Sequence, residues 1–136
     1  MEVVIEHLGA VQFEIKAPGH SIVYDQPRES GGFDEGMTPP ELLQASLGTC
    51  VAYYAADYLR RNKLGTEGTT RVRIVAEKEK NPARVDNFRM EIDLPVGLTE
   101  RDQKGVEDAV HGCLIHNTLL HAPKIEFAIR SVVSAP

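Results

Sequence analysis

Thr38-Pro39-Pro40-Glu41-Leu42-Leu43-Gln44-Ala45-Ser46-Leu47-Gly48-Thr49-Cys50-Val51-Ala52-Tyr53-Tyr54-Ala55-Ala56-Asp57-Tyr58 reads as one long helix. A threonine three residues ahead of a glutamate is a capping box, in which the two side chains satisfy backbone N–H groups at the helix start. Proline suits the first helical position, because its missing N–H would have no partner there. Leu43, Leu47, Cys50, Val51, Tyr54 and Tyr58 recur at spacings of three and four and define one apolar face. Leu42, Ala45, Ala52 and Ala55 widen that face, which predicts a helix buried on much of its circumference. The helix should end near Lys63, with Gly65 just beyond as a stop signal.

The flanks of this helix read as strands. Val11-Gln12-Phe13-Glu14-Ile15-Lys16 alternates strictly, the mark of a half-buried strand. Val3 to His7 and Ser21 to Tyr24 are strand-like neighbours, separated from it by turn signals at Leu8-Gly9-Ala10 and Pro18-Gly19. Asp25 to Met37 is rich in glycine and acids and reads as a loop. After the helix, residues 70 to 79 and 87 to 94 alternate and form a hairpin pair around Asn81-Pro82. A second helix starts at Thr99, carries Val106, Val110 and Cys113, and breaks at Gly112; Asn117 to Leu120 add a further helical turn. Ile125, Phe127 and Ile129 alternate and predict a closing strand. The pattern is α+β in the order strands, long helix, strands, helix, strand. With 136 residues it fits a single domain spanning 1–136.

Composition excludes several function classes. Fifteen basic against twenty acidic residues leave a net charge of −5, with no Lys/Arg run to meet phosphates, so nucleic acid is not the expected partner. No stretch approaches the roughly 20 apolar residues of a membrane helix, so no membrane partner is expected. Met1-Glu2-Val3-Val4-Ile5-Glu6 lacks the basic start of a signal peptide, and the expected location is the cytoplasm. Two cysteines, far apart and not in a Cys-x-x-Cys pair, do not make a disulfide scaffold.

In a reducing compartment those two thiols are either inert core or redox chemistry. Free cysteine packs like a small hydrophobe, which accounts for Cys50 on the helix face. Gly48 beside it argues for more, because glycine inside a helix costs roughly 1 kcal/mol against alanine unless something must approach the backbone. Cys113 either continues the Val106–Val110 stripe as core or, if Gly112 breaks the helix, opens the next turn. A thiol at a helix N-terminus has a lowered pKa and is more reactive. His116, three residues on, shares its face and is a candidate base or cation. His111, His116, His121 and Cys113 match no strong zinc spacing, so no metal is expected. Glu41 lies nine residues before Cys50, about 13.5 Å and two and a half turns along a helix, on the opposite side. It can meet a Cys50 thiol only across two antiparallel copies of the helix. Tyr54, one turn after Cys50, is a pocket-lining or buried tyrosine.

Gly31-Gly32-Phe33-Asp34-Glu35-Gly36-Met37-Thr38-Pro39-Pro40-Glu41-Leu42-Leu43, Leu47-Gly48-Thr49-Cys50 and Gly112-Cys113-Leu114-Ile115-His116-Asn117-Thr118-Leu119 together resemble the OsmC/Ohr family of osmotically inducible and organic-hydroperoxide-resistance proteins. The resemblance implies an intertwined homodimer of α+β subunits, with central helices packed between sheets. It implies reduction of organic hydroperoxides, with Cys50 as the peroxidatic thiol, Cys113 as the resolving thiol and a dithiol reductant restoring both. No cofactor is implied. The best-characterised members carry a glutamate ten residues before the first cysteine and an arginine on an early strand. Here Pro40 holds the first position, Lys16 and His20 stand in the region of the second, and no arginine precedes Arg28. Glu41 and Arg28 are the candidates for those supporting roles. The layout is closer to the OsmC-like branch, for which the alternative is a non-enzymatic protein holding a hydrophobic small molecule at the dimer interface.

Overall fold

A computed structural model describes residues 1–65 and 67–133. The long helix, α1, spans Pro39–Arg61. Thr38 is its extended N-cap, and the Thr38 N–H and hydroxyl both donate to Glu41 Oε2 at 2.7 Å. The helix stops two residues earlier than expected. Lys63, not Gly65, takes the left-handed position, with φ 56°. The N–H of Leu64 donates to Leu59 O and that of Lys63 to Arg60 O, which closes the last turn as a Schellman motif. Leu64 packs beside Leu59 in the core, and that contact offsets the strain of a lysine in the left-handed region.

Only one stripe of α1 is buried: Leu47, Gly48, Val51, Ala55 and Leu59. The expectation of burial around most of the circumference is not met within the chain, since Thr49, Tyr53 and Ala56 are exposed. The buried stripe rests on a two-stranded antiparallel sheet, β4 (Arg71–Lys80) and β5 (Ala83–Asp93). Val72 stands opposite Ile92 and Ile74 opposite Met90, and these side chains supply the floor of the core. β5 begins at Ala83, earlier than its apolar alternation suggested, because a tight turn at Asn81-Pro82 pairs Lys80 with Ala83 directly.

Two helices lie beyond the hairpin. α2 spans Glu100–His111, with Thr99 Oγ1 accepting from the Asp102 N–H at 3.2 Å. α3 spans Leu114–Leu120. α2 closes against α1 where Tyr58 covers Gly105; a Cβ there would overlap the phenol ring. The Tyr58 hydroxyl donates to Asp102 Oδ1 at 3.3 Å across the same contact. Ala55, Leu59 and Val106 are buried beneath it. Each large aliphatic side chain buried in this way contributes about 1.5–3 kcal/mol.

The N-terminal sheet is antiparallel: β1 (Val4–Gly9), β2 (Gln12–Ala17) and β3 (His20–Tyr24). Ile5, Ile15 and Ile22 align across it. A bridge from Tyr24 to Met37 links it to the segment entering α1. Its apolar side chains Ile5, Leu8, Ile22 and Val23 remain exposed. The expected closing strand does not form. Residues 122–131 carry no strand, and Ile125, Phe127 and Ile129 are 71%, 88% and 97% exposed. Alternation prepares a segment for a ladder, but no strand among the described residues pairs with it.

Candidate functional site

Gly112 ends α2 in a right-handed conformation, with its N–H donating to Ala109 O at 3.0 Å. The break expected from the sequence is therefore real, and Cys113 becomes the N-cap of α3. Its backbone (φ −58°, ψ 125°) turns the thiol inward beneath α1. There Cys113 is fully buried and packs with Leu47 and Val51, with Cys50, Tyr54, Ile115 and Phe88 around it. Cys50 and Cys113, far apart in the chain, pack in one buried cluster, and both are free thiols. Cys50 is only partly buried and so is the more accessible of the pair.

The electrostatics of Cys113 differ from the expectation. Burial pushes its thiol pKa up, and the hydrogen bond to Cys50 pushes in the same direction. The His116 and Ile115 N–H groups pull it down, as the helix start should, but do not prevail. A seven-residue helix offers a small dipole, whereas taking a thiolate out of water is expensive. Cys113 therefore rests as the protonated thiol.

His116 is the third residue of α3, after Cys113 at its N-cap. Its backbone N–H donates to Cys113 Sγ at 3.4 Å, and its ring lies 5.8 Å from the ring of His111. Its Nδ1 is buried and has no hydrogen-bond partner among the described residues. Tyr54 packs onto the thiol cluster and meets Tyr53 edge-on at 5.4 Å.

Glu41 and Arg28 are not brought to the thiols. Glu41 is committed to the cap: the Thr38 N–H, then the Thr38 hydroxyl, hold its carboxyl below the usual value, with Lys78 assisting against burial. It faces a hollow of about 460 Å³ with Ile22, Met37 and Leu42, to which neither cysteine contributes. Because α1 is continuous from Pro39 to Arg61, its own Cys50 stays out of reach. Arg28 sits exposed in a 3₁₀ turn, Arg28–Ser30, inside the predicted loop, and among the described residues it forms no ion pair.

One organising residue escaped the sequence reading. Asp25, at the end of β3, is fully buried. Burial alone would raise its pKa. The N–H groups of Gln26, Glu35 and Phe33 and the Gln12 amide overcome that and hold the carboxylate below its usual range. These bonds measure 2.7, 3.2, 3.0 and 3.2 Å and tie β2, β3 and the loop to one anion. Gly32 is required in the same place, because a Cβ would overlap Gln26 O and lie 2.6 Å from Asp25 Oδ1. The signal available was a short acid at a strand end ahead of a Gly-Gly pair.

A hollow of about 370 Å³ lies between the N-terminal sheet and the start of α1, lined by Ile5, Phe13, Ile15, Tyr24, Pro39 and Leu42. A wider one, about 540 Å³, separates β5 from α2, and neither thiol lines it. Among the described residues no group of three or more His, Cys, Asp or Glu has a metal-binding arrangement, and no helix is long and apolar enough to cross a membrane.

A family model described as OsmC-like protein matches residues 32–128, which include both cysteines. Among solved structures, the chain superposes on an osmotic-stress-induced and detoxification-response protein from Psychrobacter arcticus 273-4, with TM-score 0.75 and 19% identity over 85% of each chain. An OsmC-like protein from Mycoplasma pneumoniae gives TM-score 0.67 and 19% identity over 90% of this chain and 89% of that one. An OsmC-like hydroperoxide resistance protein from Jannaschia sp. CCS1 gives TM-score 0.55 and 20% identity over 96% and 91%. No curated protein matches the chain.

Proposed function

This chain belongs to the OsmC-like protein family, and from that premise we propose that it reduces organic hydroperoxides through a cycle of Cys50 and Cys113. The observation that carries the reading is that two free thiols from separate helical elements pack in one buried cluster. Cys50, as thiolate, attacks the terminal peroxide oxygen. The O–O bond breaks, an alcohol leaves with a proton, and Cys50 becomes a sulfenic acid. Cys113 then attacks the Cys50 sulfur, the S–O bond breaks, and water leaves as the disulfide forms. The two thiols have supplied the two electrons, and an external dithiol returns them. Two neighbours are called hydroperoxide resistance proteins, which supports the same chemistry here.

The apolar hollow between the N-terminal sheet and α1 is lined by neither cysteine, and it is a site for an apolar body rather than for the reacting oxygens. The protein works as a homodimer in the cytoplasm. The exposed face of α1, the exposed sheet side chains and the exposed segment 125–133 are the surfaces a second copy would cover. Glu41 and Arg28 contribute only across such a dimer. A second reading, an apolar-ligand holder without turnover, is favoured by the same hollow and by Pro40 at the family's glutamate position.

Purified protein should consume cumene hydroperoxide in the presence of a dithiol, and Cys50→Ser should lower the rate by at least about 100-fold. Equal consumption by both proteins would overturn the peroxidase reading. Thiols inert to peroxide, together with a co-purified apolar ligand in native mass spectrometry, would establish the second reading instead.

A further inference from the structure

We propose that the His116 imidazole accepts the Cys113 thiol proton during disulfide formation and delivers it to the departing hydroxyl. The inference rests on the two-cysteine cycle and names a residue for its second step. Cys113 is fully buried among apolar side chains, so in the resting protein it holds its proton. To attack Cys50 it must release that proton inside the core, away from water. The side chains packed with it include Leu47, Val51, Ile115 and Phe88, and the backbone N–H of His116 donates to its sulfur.

His116 is placed for the task. Its amide donates to Cys113 Sγ at 3.4 Å, which sets residue 116 next to the sulfur in space. The ring nitrogen nearer that backbone, Nδ1, is buried and has no partner among the described residues. A buried polar atom without a partner is costly and calls for a role. Neutral Nδ1 with a free lone pair is the form that takes a proton, and histidine is the side chain that gains and loses one near neutral pH. Cys50 and Tyr54 on α1 are the titratable side chains packed against the Cys113 cluster, and the His111 ring at the end of α2 lies 5.8 Å from that of His116. His111 has its own Nδ1 paired with Glu107 O at 2.7 Å, so it steadies the His116 ring without competing for the thiol.

The step balances. The S–H proton of Cys113 moves to Nδ1, and the thiolate attacks the sulfur of the Cys50 sulfenic acid. The S–S bond forms as the S–O bond breaks. Hydroxide takes the proton back from the imidazolium and leaves as water. Histidine ends as it began, and no additional oxidant is consumed.

The test is single-turnover oxidation by one equivalent of cumene hydroperoxide, with sulfenic acid and disulfide followed separately by quenched mass spectrometry. His116→Asn and His116→Gln are compared with wild type after matching circular dichroism. The expected result is unchanged sulfenic acid formation and disulfide formation slowed about 100-fold, the lower end of general-base contributions. The variants should also lose a pH-dependent limb of the second step. Disulfide formation at the wild-type rate with the wild-type pH profile would overturn the inference, as would equal slowing of both steps. A wild-type protein that forms no Cys50–Cys113 disulfide would overturn the peroxidase reading and this inference with it.

Discussion

Asp25 shows how much a single buried charge can organise. Its carboxylate accepts from donors on β2 and on both arms of the loop, so the loop has its shape because one anion must be satisfied. Its folded pKa is depressed. The stability it contributes is therefore complete at pH values above the ordinary aspartate range near 4 and is lost as pH falls through the depressed value. Asp25→Asn should unfold at lower urea concentration at neutral pH, because an amide NH₂ would confront N–H donors. It should also lose part of the acid sensitivity expected of the wild-type protein below about pH 4. Parallel urea titrations at pH 7 and at lower pH would check both, and identical pH dependence in the two proteins would remove Asp25 from this role. The same scale explains Cys113. Position in a helix predicted a lowered pKa, but burial and a second thiol reverse the direction.

At the scale of elements, α1 carries most of the design. Its start was legible because the capping box and the prolines are local chemistry. Its end was legible only approximately, because Lys63 takes a conformation that sequence preference assigns to glycine, with Leu64 held in the core. Gly48 was expected to admit a close approach. The structure relaxes that demand: a Cβ there would meet Ile74 Cγ2 at 3.6 Å and Val72 Cγ1 at 4.0 Å, which is ordinary packing. Gly48→Ala should therefore be tolerated and should stabilise the protein by up to about 1 kcal/mol from helix propensity. A raised urea midpoint would show this; a lowered one would mean that something outside the chain presses on that surface. Gly112 behaves as the sequence indicated, ending one helix so that Cys113 can open the next.

For the whole molecule, the outstanding feature is the apolar surface left open within one chain. Ile125, Phe127 and Ile129 have the alternation of a strand and the exposure of a loop, and the N-terminal sheet also leaves isoleucines and valines exposed. A second copy is the occupant consistent with the proposed dimer. Phe127→Asp should shift the protein toward monomer and weaken association by at least about 10-fold, given about 1.5–3 kcal/mol for burying one large side chain. Sedimentation of the two proteins over a concentration series would measure it, and a wild-type protein already monomeric at high concentration would refute it. The sequence by itself determined what depends on neighbours in the chain: the strand alternation, the capped helix, the glycine break before Cys113 and the pattern shared with the OsmC-like family. The tertiary structure alone decided what depends on distant segments meeting. It seats Cys113 beneath α1 against Cys50, gathers donors from β2, β3 and the loop onto Asp25, and keeps Glu41 in its cap. It also leaves the last alternating segment without a ladder. Periodicity fixes which way a side chain points, but contact across the fold is set by how helices and sheets pack, and that geometry is written in no single stretch of residues.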